Sequence, residues 1–403
     1  MTAQCNLIID SCCDLPYSVV DREGVYLIKF PFLFGDQEHL DDLGQSMSAH
    51  DFYERMRHGE CPTTAQVSIP AFTEAFTKVA QSGIPTVYLS FSSGLSGSYD
   101  VSHIVAEQVQ GQYPDMELHI VDTKLASVAE ALLVYEAIRQ REKGLTAHEM
   151  VAWAEEARYF VNALFMVDDL ESLRRGGRIP DSVAYAGAKL DVKPLLTIDL
   201  EGKLSLKGVA RGRKKGIKQL AEYYLERRDL ENPSQRVVTG HADCPKDLER
   251  LHDIVSKQDE GVLFMDGEIG PVIGSHVGPG MIAIVFWGKD RREDLSVADR
   301  IARDVKRGAK IAVLGMSFKA NIDDTRESPS VLFANILKSR GYEVLACEPY
   351  IQGDVAGYHN YSLAEAMAQC DYAVITLMHN VFKENKALIA SRPYYDCVGL
   401  MEQ

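Results

Sequence analysis

Short apolar runs alternate along the chain with longer segments in which apolar residues recur at helical spacing. The runs at 6–9, 87–89 and 118–121 predict buried strands, and the segments that follow the last two predict helices. Strands that alternate with helices are typical of α/β proteins with a mainly parallel sheet. We therefore predict an α/β fold for the first part of the chain.

Local signals place several helix ends. Ser48 with Asp51, and Thr146 with Glu149, each have the spacing of a helix N-cap and its partner. Gly144 is suited to end the helix that precedes Thr146. Further runs that predict strands are 25–34, 192–198, 236–239 and 281–287.

Two segments combine turn-forming residues with polar side chains. Segment 61–70 carries short polar side chains between Pro62 and Pro70, which predicts a loop. Segment 274–280 reads Gly-Ser-His-Val-Gly-Pro-Gly, and its glycines and proline predict a turn that holds His276 in place. Such a histidine is either structural or a ligand contact, and both interpretations stay open.

A second domain is predicted from residue 310 onward. A strand at 310–314 is followed by a helix that ends near Gly341 and by a strand at 342–347, which is the pattern of a βαβ unit. A dinucleotide fingerprint would need glycines where Ser317 and Ala320 stand, so dinucleotide binding is not predicted.

The turn at 92–99 reads Ser-Ser-Gly-Leu-Ser-Gly-Ser-Tyr and lies between a predicted strand and a predicted helix. Free backbone N–H groups and the helix dipole attract anions to a helix start. The simpler interpretation is that one serine caps the helix. The number of hydroxyl and glycine residues favours a carboxylate or phosphate ligand instead.

The net charge of the chain and its two basic clusters indicate which classes of partner to expect. The formal net charge of -15 argues against a nucleic-acid partner, which needs a basic face. Two basic clusters, at 168–179 and 209–215, are either solvated surface or contacts for an acidic ligand or a phosphate-bearing partner.

The composition, with 46% hydrophobic residues, is that of a globular protein. The length of 403 residues is enough for several domains. The eight cysteines lack zinc-site spacing, and neither a signal peptide nor a membrane span is expected. These features favour the reduced cytoplasm, and no metal or cofactor is predicted.

Several short motifs occur in order along the first part of the chain. They are Ile-Asp-Ser at 9–11, Pro-Thr-Thr at 62–64, the serine turn at 92–99, Gly-Gly-Arg-Ile at 176–179, Lys-Pro at 193–194 and His-Val-Gly-Pro-Gly at 276–280. Together they resemble the DegV family. The resemblance covers about residues 1–290. It implies two α/β lobes, 1–160 and 161–292, with a ligand cleft between them that binds one long-chain fatty acid.

The resemblance also implies roles. The chain would be a non-catalytic carrier that presents the fatty-acid carboxylate to a separate kinase subunit. The residues that it assigns to the carboxylate are Thr64, Ser92, Ser93, Ser96 and His276, and those that it assigns to the carboxylate network or the kinase partner are Arg178 and Arg211. Where the family usually has Thr-Ser-Gln-Pro-Ser, segment 64–68 has Thr-Ala-Gln-Val-Ser, with one hydroxyl and one proline fewer.

The end of the chain resembles the UDP-binding domain of nucleotide-sugar dehydrogenases, of the UDP-glucose and UDP-N-acetylmannosamine type. The resemblance covers about 308–403, after a linker helix at 293–307, and depends mainly on the motif at 318–329. It implies a Rossmann-like fold and contacts to a UDP-sugar from Phe318, Lys319 and Arg326. A purely structural or oligomerising role of this domain is the other interpretation, and both stay open. The dehydrogenases' NAD domain and catalytic-cysteine domain are absent, so the resemblance implies no hydride transfer.

Two alternatives to the fatty-acid carrier remain. The C-terminal domain could bind or sense a nucleotide sugar. The second alternative is a serine hydrolase. Gly-Leu-Ser-Gly-Ser at 94–98 nearly matches a nucleophile elbow, and His276 could serve as the base.

Overall fold

The computed structural model describes residues 3–179, 192–231, 236–294, 297–326 and 328–401. The chain forms two compact units, Met1–Arg291 and Arg292–Gln403. Glu327, which belongs to the predicted nucleotide-sugar motif, lies outside the described residues. None of the described helices has the length and apolar character needed to cross a lipid bilayer.

The first unit contains strands and helices in alternation, as expected from the sequence. Its strands are β1 Asn6–Asp10, β2 Val25–Ile28, β3 Pro31–Phe34, β4 Gln37–Leu40, β5 Thr63–Thr64, β6 Thr86–Ser90, β7 Leu118–Asp122, β8 Val161–Met166, β9 Val192–Ile198, β10 Leu204–Arg211, β11 Arg236–His241, β12 Leu263–Glu268 and β13 Ile282–Trp287. Its helices are α1 Tyr17–Val20, α2 Ala49–Arg57, α3 Ile69–Ser82, α4 Ser98–Gln112, α5 Ser127–Glu142, α6 Ala147–Ala157, α7 Glu171–Arg175, α8 Arg213–Arg227, α9 Pro245–Ser256 and α10 Pro271–Val277.

Lobe 1, residues up to 160, is built on a parallel sheet with the strand order β2-β1-β6-β7. A small antiparallel sheet, β4-β3-β5, belongs to the same lobe. Lobe 2, from residue 161, carries a mixed sheet with the order β10-β9-β8-β13-β11-β12. The α/β class predicted from the pattern is confirmed.

Helix α5 connects the two lobes. It packs against α6 on one side and against β8, β11 and β13 on the other. One cluster of buried apolar side chains runs from Cys5 to Val285 and contains residues of both lobes. The two sheets therefore share a hydrophobic core, which stabilises the position of each lobe against the other.

Local capping signals are confirmed, whereas one predicted turn is wrong. The Ser48 side chain accepts from the Asp51 backbone N–H, and Thr146 with Glu149 forms a capping box. His276 lies in helix α10 and not in a turn. Pro271 fits the first turn of this helix because it needs no N–H donor there, and Gly278, at a φ of 73°, ends it.

The second unit has its own parallel sheet with the order β15-β14-β16-β17, as expected for a Rossmann-like domain. The strands are β14 Lys310–Leu314, β15 Glu343–Cys347, β16 Tyr372–Ile375 and β17 Tyr394–Asp396. The helices are α11 Val297–Asp304, α12 Pro329–Ser339, α13 Leu363–Gln369, α14 Asn380–Glu384 and α15 Lys386–Ile389. Helix α11 falls within the predicted linker helix.

Candidate ligand cavity

The first unit contains a mainly apolar cavity with side chains from both lobes. The free space along its lining is about 770 Å³, a volume that includes open solvent at its mouth. Its apolar wall includes Phe30, Phe91, Leu95, Val128, Leu164, Phe165, Leu173, Ile198, Leu204, Val272, Ile273, Val277, Met281 and Val285. The polar side chains among the described residues of the lining are Thr64, Ser96, Ser127, Arg178 and His276. A cavity of this composition suits a long apolar molecule with one polar end.

Thr64 and His276 meet at the polar part of this cavity. Thr64 Oγ1 and His276 Nε2 are 2.9 Å apart, although the residues are 212 positions apart in the sequence. Thr64 is held by β5, which pairs with β3 through Phe32, and His276 is held by α10. The pair therefore joins the small sheet of lobe 1 to a helix of lobe 2.

The environment of His276 disfavours its charged form. Burial, followed by the charges of Arg178 and Arg175, lowers the pKa of His276 to about 4. Its second ring nitrogen, Nδ1, is buried and has no hydrogen-bond partner among the described residues. A Cβ atom placed on Gly176 would lie 2.2 Å from this nitrogen, so only a glycine lets the backbone approach the ring. His276 is thus neutral at physiological pH and is able to accept a proton if an anion arrives.

Arg178 and Ser96 complete the polar part of the lining. Arg178 Nε donates to the Leu95 carbonyl at 3.2 Å, and its Nη1 donates to the Gly176 carbonyl. Burial lowers the pKa of Arg178, but a guanidinium stays charged at physiological pH. Ser96 Oγ lies 3.1 Å from Ser98 Oγ, at the start of α4. Among the described residues, the lining therefore has one permanently charged guanidinium, a neutral imidazole and three hydroxyls.

Ser92 and Ser93 are not among the described residues that line the cavity. Ser92 Oγ donates to the Gly202 carbonyl at 2.8 Å and so ties the serine turn to the β9–β10 hairpin. Ser93 Oγ accepts from Lys124 Nζ at 3.0 Å, and the Ser93 backbone N–H donates to Asp122. Contact of either serine with a carboxylate stays a prediction.

Arg211 also lies outside the described lining. It is the last residue of β10, its side chain is exposed, and its strand partner is Val192. Its predicted contact with a partner protein is compatible with this exposure but is untested.

Asp10 and Ser11, which belong to the Ile-Asp-Ser motif at 9–11, bond to the backbone of two residues that line the cavity. Both are fully buried. Asp10 accepts from the Phe91 backbone N–H at 2.8 Å, and Ser11 Oγ accepts from the Phe30 backbone N–H at 3.0 Å. Since Phe30 and Phe91 line the cavity, the two polar residues position the apolar wall. Burial raises the pKa of Asp10 to about 7, although several hydrogen bonds oppose this shift.

The predicted nucleotide-sugar residues of the second unit lie on an exposed loop after β14. Phe318 is 46% exposed, and the Lys319 ammonium lies 5.9 Å from the centre of its ring. Arg326 forms a salt bridge of 2.7 Å with Asp324. Beneath the loop, Glu348 accepts from the backbone N–H groups of Met316 and Ser317. Hydrogen bonds to Glu348 thus hold the start of the loop, while Phe318, Lys319 and Arg326 are exposed.

Comparison with known proteins identifies the family. The family model described as "uncharacterised protein, DegV family" matches residues 4–289. A DegV domain-containing protein of Clostridium perfringens is 36% identical over 282 residues, which are 70% of this chain and 97% of the relative. The chain belongs to the DegV family. A second model, the UDP-binding domain of the UDP-glucose/GDP-mannose dehydrogenase family, matches residues 312–403.

Solved structures of the DegV family share the fold of the first unit. A DegV lipid-binding protein of Thermotoga maritima is 27% identical, with a TM-score of 0.62, and the match covers 72% of this chain and all of that one. A DegV family protein of Thermus thermophilus, described for its fatty-acid binding, is also 27% identical, with a TM-score of 0.62 and a coverage of 71% of this chain.

The apolar residues that line the cavity were not predicted from the sequence. Ala163 and Phe165 on β8, with Ala283 and Val285 on β13, line the cavity but read as ordinary core strand residues. Ser127 also lines the cavity, with a φ of 55° that is unusual for a residue other than glycine. No local signal in the sequence distinguishes these positions from the hydrophobic core.

Proposed function

We propose that the chain binds one long-chain fatty acid in this cavity, with the carboxylate near Thr64, Ser96, Arg178 and His276. The observation that carries the proposal is the hydrogen-bonded pair of Thr64 and a desolvated His276 in an otherwise apolar cavity. The fatty-acid binding described for the Thermus thermophilus relative supports it.

Energetics favour this ligand over a purely apolar or a small polar one. A carboxylate without partners is costly to bury, so hydroxyl, imidazole and guanidinium donors must receive it. Each buried CH₂ of the chain contributes about 0.8 kcal/mol. The tail supplies affinity, and the polar end fixes the orientation.

Extraction of the purified protein, followed by lipid mass spectrometry, tests the proposal. We expect a fatty acid in a ratio close to one per chain. If the extract contains none, and the protein takes up no fatty acid on incubation, the proposal is wrong.

We further propose that the bound carboxylate is presented to a separate fatty-acid kinase. The support is the chemistry of the polar end, where Arg175 and Arg178 lie close enough to influence His276 and would favour an acyl phosphate. The test incubates the loaded chain with ATP and a purified fatty-acid kinase, and then traps acyl phosphate with hydroxylamine. Hydroxamate formation that needs both proteins is expected, and its absence with active kinases would contradict the proposal.

Nucleotide-sugar binding by the second unit is a second candidate function. Its support is the family match over 312–403 together with the exposed Phe318 and Lys319, an aromatic ring and a cation suited to a UDP moiety. Calorimetry with UDP and UDP-N-acetyl sugars tests it, and an absence of heat would exclude it. A hydrolase is not favoured, because His276 bonds to Thr64 and Ser96 bonds to Ser98 rather than to each other.

A further inference from the structure

Glu117, His119 and His148 lie together on the surface of lobe 1, away from the lining of the cavity. One possible metal-ligand atom of each side chain lies within 4.8 Å of those of the other two. We propose that these three side chains form a binding site for a single zinc-class divalent metal ion. The site goes beyond the proposed fatty-acid function and does not depend on it.

The distances between the ligand atoms already approach those of a metal centre. Glu117 Oε1 is 3.1 Å from His119 Nε2 and 3.5 Å from His148 Nδ1. Ligands about 2.0–2.1 Å from a tetrahedral zinc ion are roughly 3.3 Å from one another. The carboxylate oxygen thus lies close to the ligand–ligand separation of a zinc site from both nitrogens. The two imidazole rings are also neighbours, with centroids 4.9 Å apart.

The chemistry of the donors selects the metal. Two imidazoles and one carboxylate form a nitrogen-rich set, which suits Zn²⁺, Co²⁺ or Ni²⁺ and is poorly matched to Ca²⁺ or Mg²⁺. The side chain of His148 is 79% exposed and that of Glu117 is 42% exposed. A fourth coordination position is therefore open to water, and the metal is able to exchange with solvent.

The backbone positions the three ligands before any metal binds. His119 lies on β7, the edge strand of the parallel sheet, and the Glu117 carbonyl just before it accepts from the Thr86 N–H. His148 lies in the first turn of α6, which the Thr146–Glu149 capping box holds in place. A bound metal would tie the start of α6 to the start of β7 and so stabilise this edge.

A second surface cluster, His50, Glu54 and Asp243, has similar donors but a different charge environment. There, Asp243 already receives the Arg57 guanidinium as well as His50. A metal would have to displace that guanidinium. Within the described part of the chain, the ion pairs of Glu117 are those with the two imidazoles, which makes its cluster the better site.

Metal titration of the untagged full chain tests the proposal, since a histidine tag would itself bind the probe. Calorimetry with Zn²⁺ measures affinity and stoichiometry, and the visible spectrum of added Co²⁺ reports tetrahedral coordination. The variants are His119→Ala and His148→Ala, with His50→Ala as the matched control from the second cluster. His148 is exposed, so its replacement keeps the test valid even if His119→Ala fails to fold.

We expect one Zn²⁺ per chain, a tetrahedral Co²⁺ spectrum, and at least a tenfold loss of affinity in His119→Ala and His148→Ala. His50→Ala should bind as the unchanged chain does. The proposal is overturned if the unchanged chain binds no zinc, or if His50→Ala loses binding while His148→Ala retains it.

Discussion

The polar end of the cavity and the loop after β14 are both candidate ligand sites, but they are built differently. The cavity draws Thr64, Ser96, Arg178 and His276 from separate segments and holds them half-buried, and the charge of Arg178 lowers the pKa of His276. The loop gathers its candidate residues within 318–326 and leaves them in solvent, where Asp324 already pairs with Arg326. The cavity brings side chains from distant segments together in a partly buried site, which favours one ligand orientation. The exposed side chains of the loop would become ordered only when a ligand binds.

Loss of the imidazole should have the largest effect on fatty-acid retention. His276→Ala removes a hydrogen bond to a charged group, which is worth roughly ten- to hundredfold in affinity. Binding of a labelled fatty acid to delipidated protein measures this. His103→Ala, an exposed histidine elsewhere in lobe 1, is the matched control. Equal affinity of the two variants would remove His276 from the site.

Gly176→Ala tests the same histidine without removing a polar group. The added methyl would lie 2.2 Å from His276 Nδ1 and push the ring away from Thr64. The Gly176 φ of -74° suits alanine, so the backbone should not be strained. We expect a several-fold loss of affinity. Gly111→Ala, which meets nothing within 4 Å, should bind normally, and a loss as large as that of Gly176→Ala would contradict the steric explanation.

Two serines of the same turn, Ser96 and Ser93, are expected to have different roles, the first in ligand binding and the second in stability. Ser96→Ala should lower affinity by about fivefold, the effect of one modest hydrogen bond. Ser93→Ala should leave affinity nearly unchanged and instead lower the free energy of unfolding by about 1 kcal/mol, because Lys124 loses a partner. Binding assays and urea unfolding of both variants distinguish the roles. A larger affinity loss in Ser93→Ala would instead support the carboxylate contact that the family resemblance implies for this residue.

Fatty-acid affinity should rise moderately as the pH falls. In the free protein, burial lowers the pKa of His276 to about 4, and an adjacent carboxylate would raise it, so binding takes up a proton. Proton uptake favours the complex at lower pH. Affinities measured between about pH 8 and pH 6 should show this trend, and His276→Ala should lose it. A trend that persists in the variant would assign it to another group.

The smallest effect on lipid binding is expected from the loop. Phe318→Ala should leave fatty-acid retention unchanged and should abolish any heat of UDP binding, because the exposed ring belongs to the second unit. Paired calorimetry with a fatty acid and with UDP measures both. Reduced fatty-acid retention in this variant would mean that the two sites are coupled.

Much of the fold was readable from local patterns. The strand segments at 6–9, 87–89 and 118–121 and the caps at Ser48 and Thr146 were predicted correctly, because each depends on neighbours only a few residues away. The turn predicted around His276 was wrong, because a short helix, α10, begins at Pro271, before the predicted segment, and ends at Gly278. Local composition did not decide between these two conformations.

The sequence alone determined which chemistry was available, namely hydroxyls in two turns, an arginine after a double glycine, and a histidine before an apolar strand. Only the tertiary structure decided which groups meet. Thr64 reaches His276 across 212 positions, and Ser96 lines the cavity while Ser93 bonds to Lys124. The physical reason is that adjacent hydroxyls are chemically equal, and packing against distant segments alone determines which one faces the cavity and which one is satisfied by a neighbour.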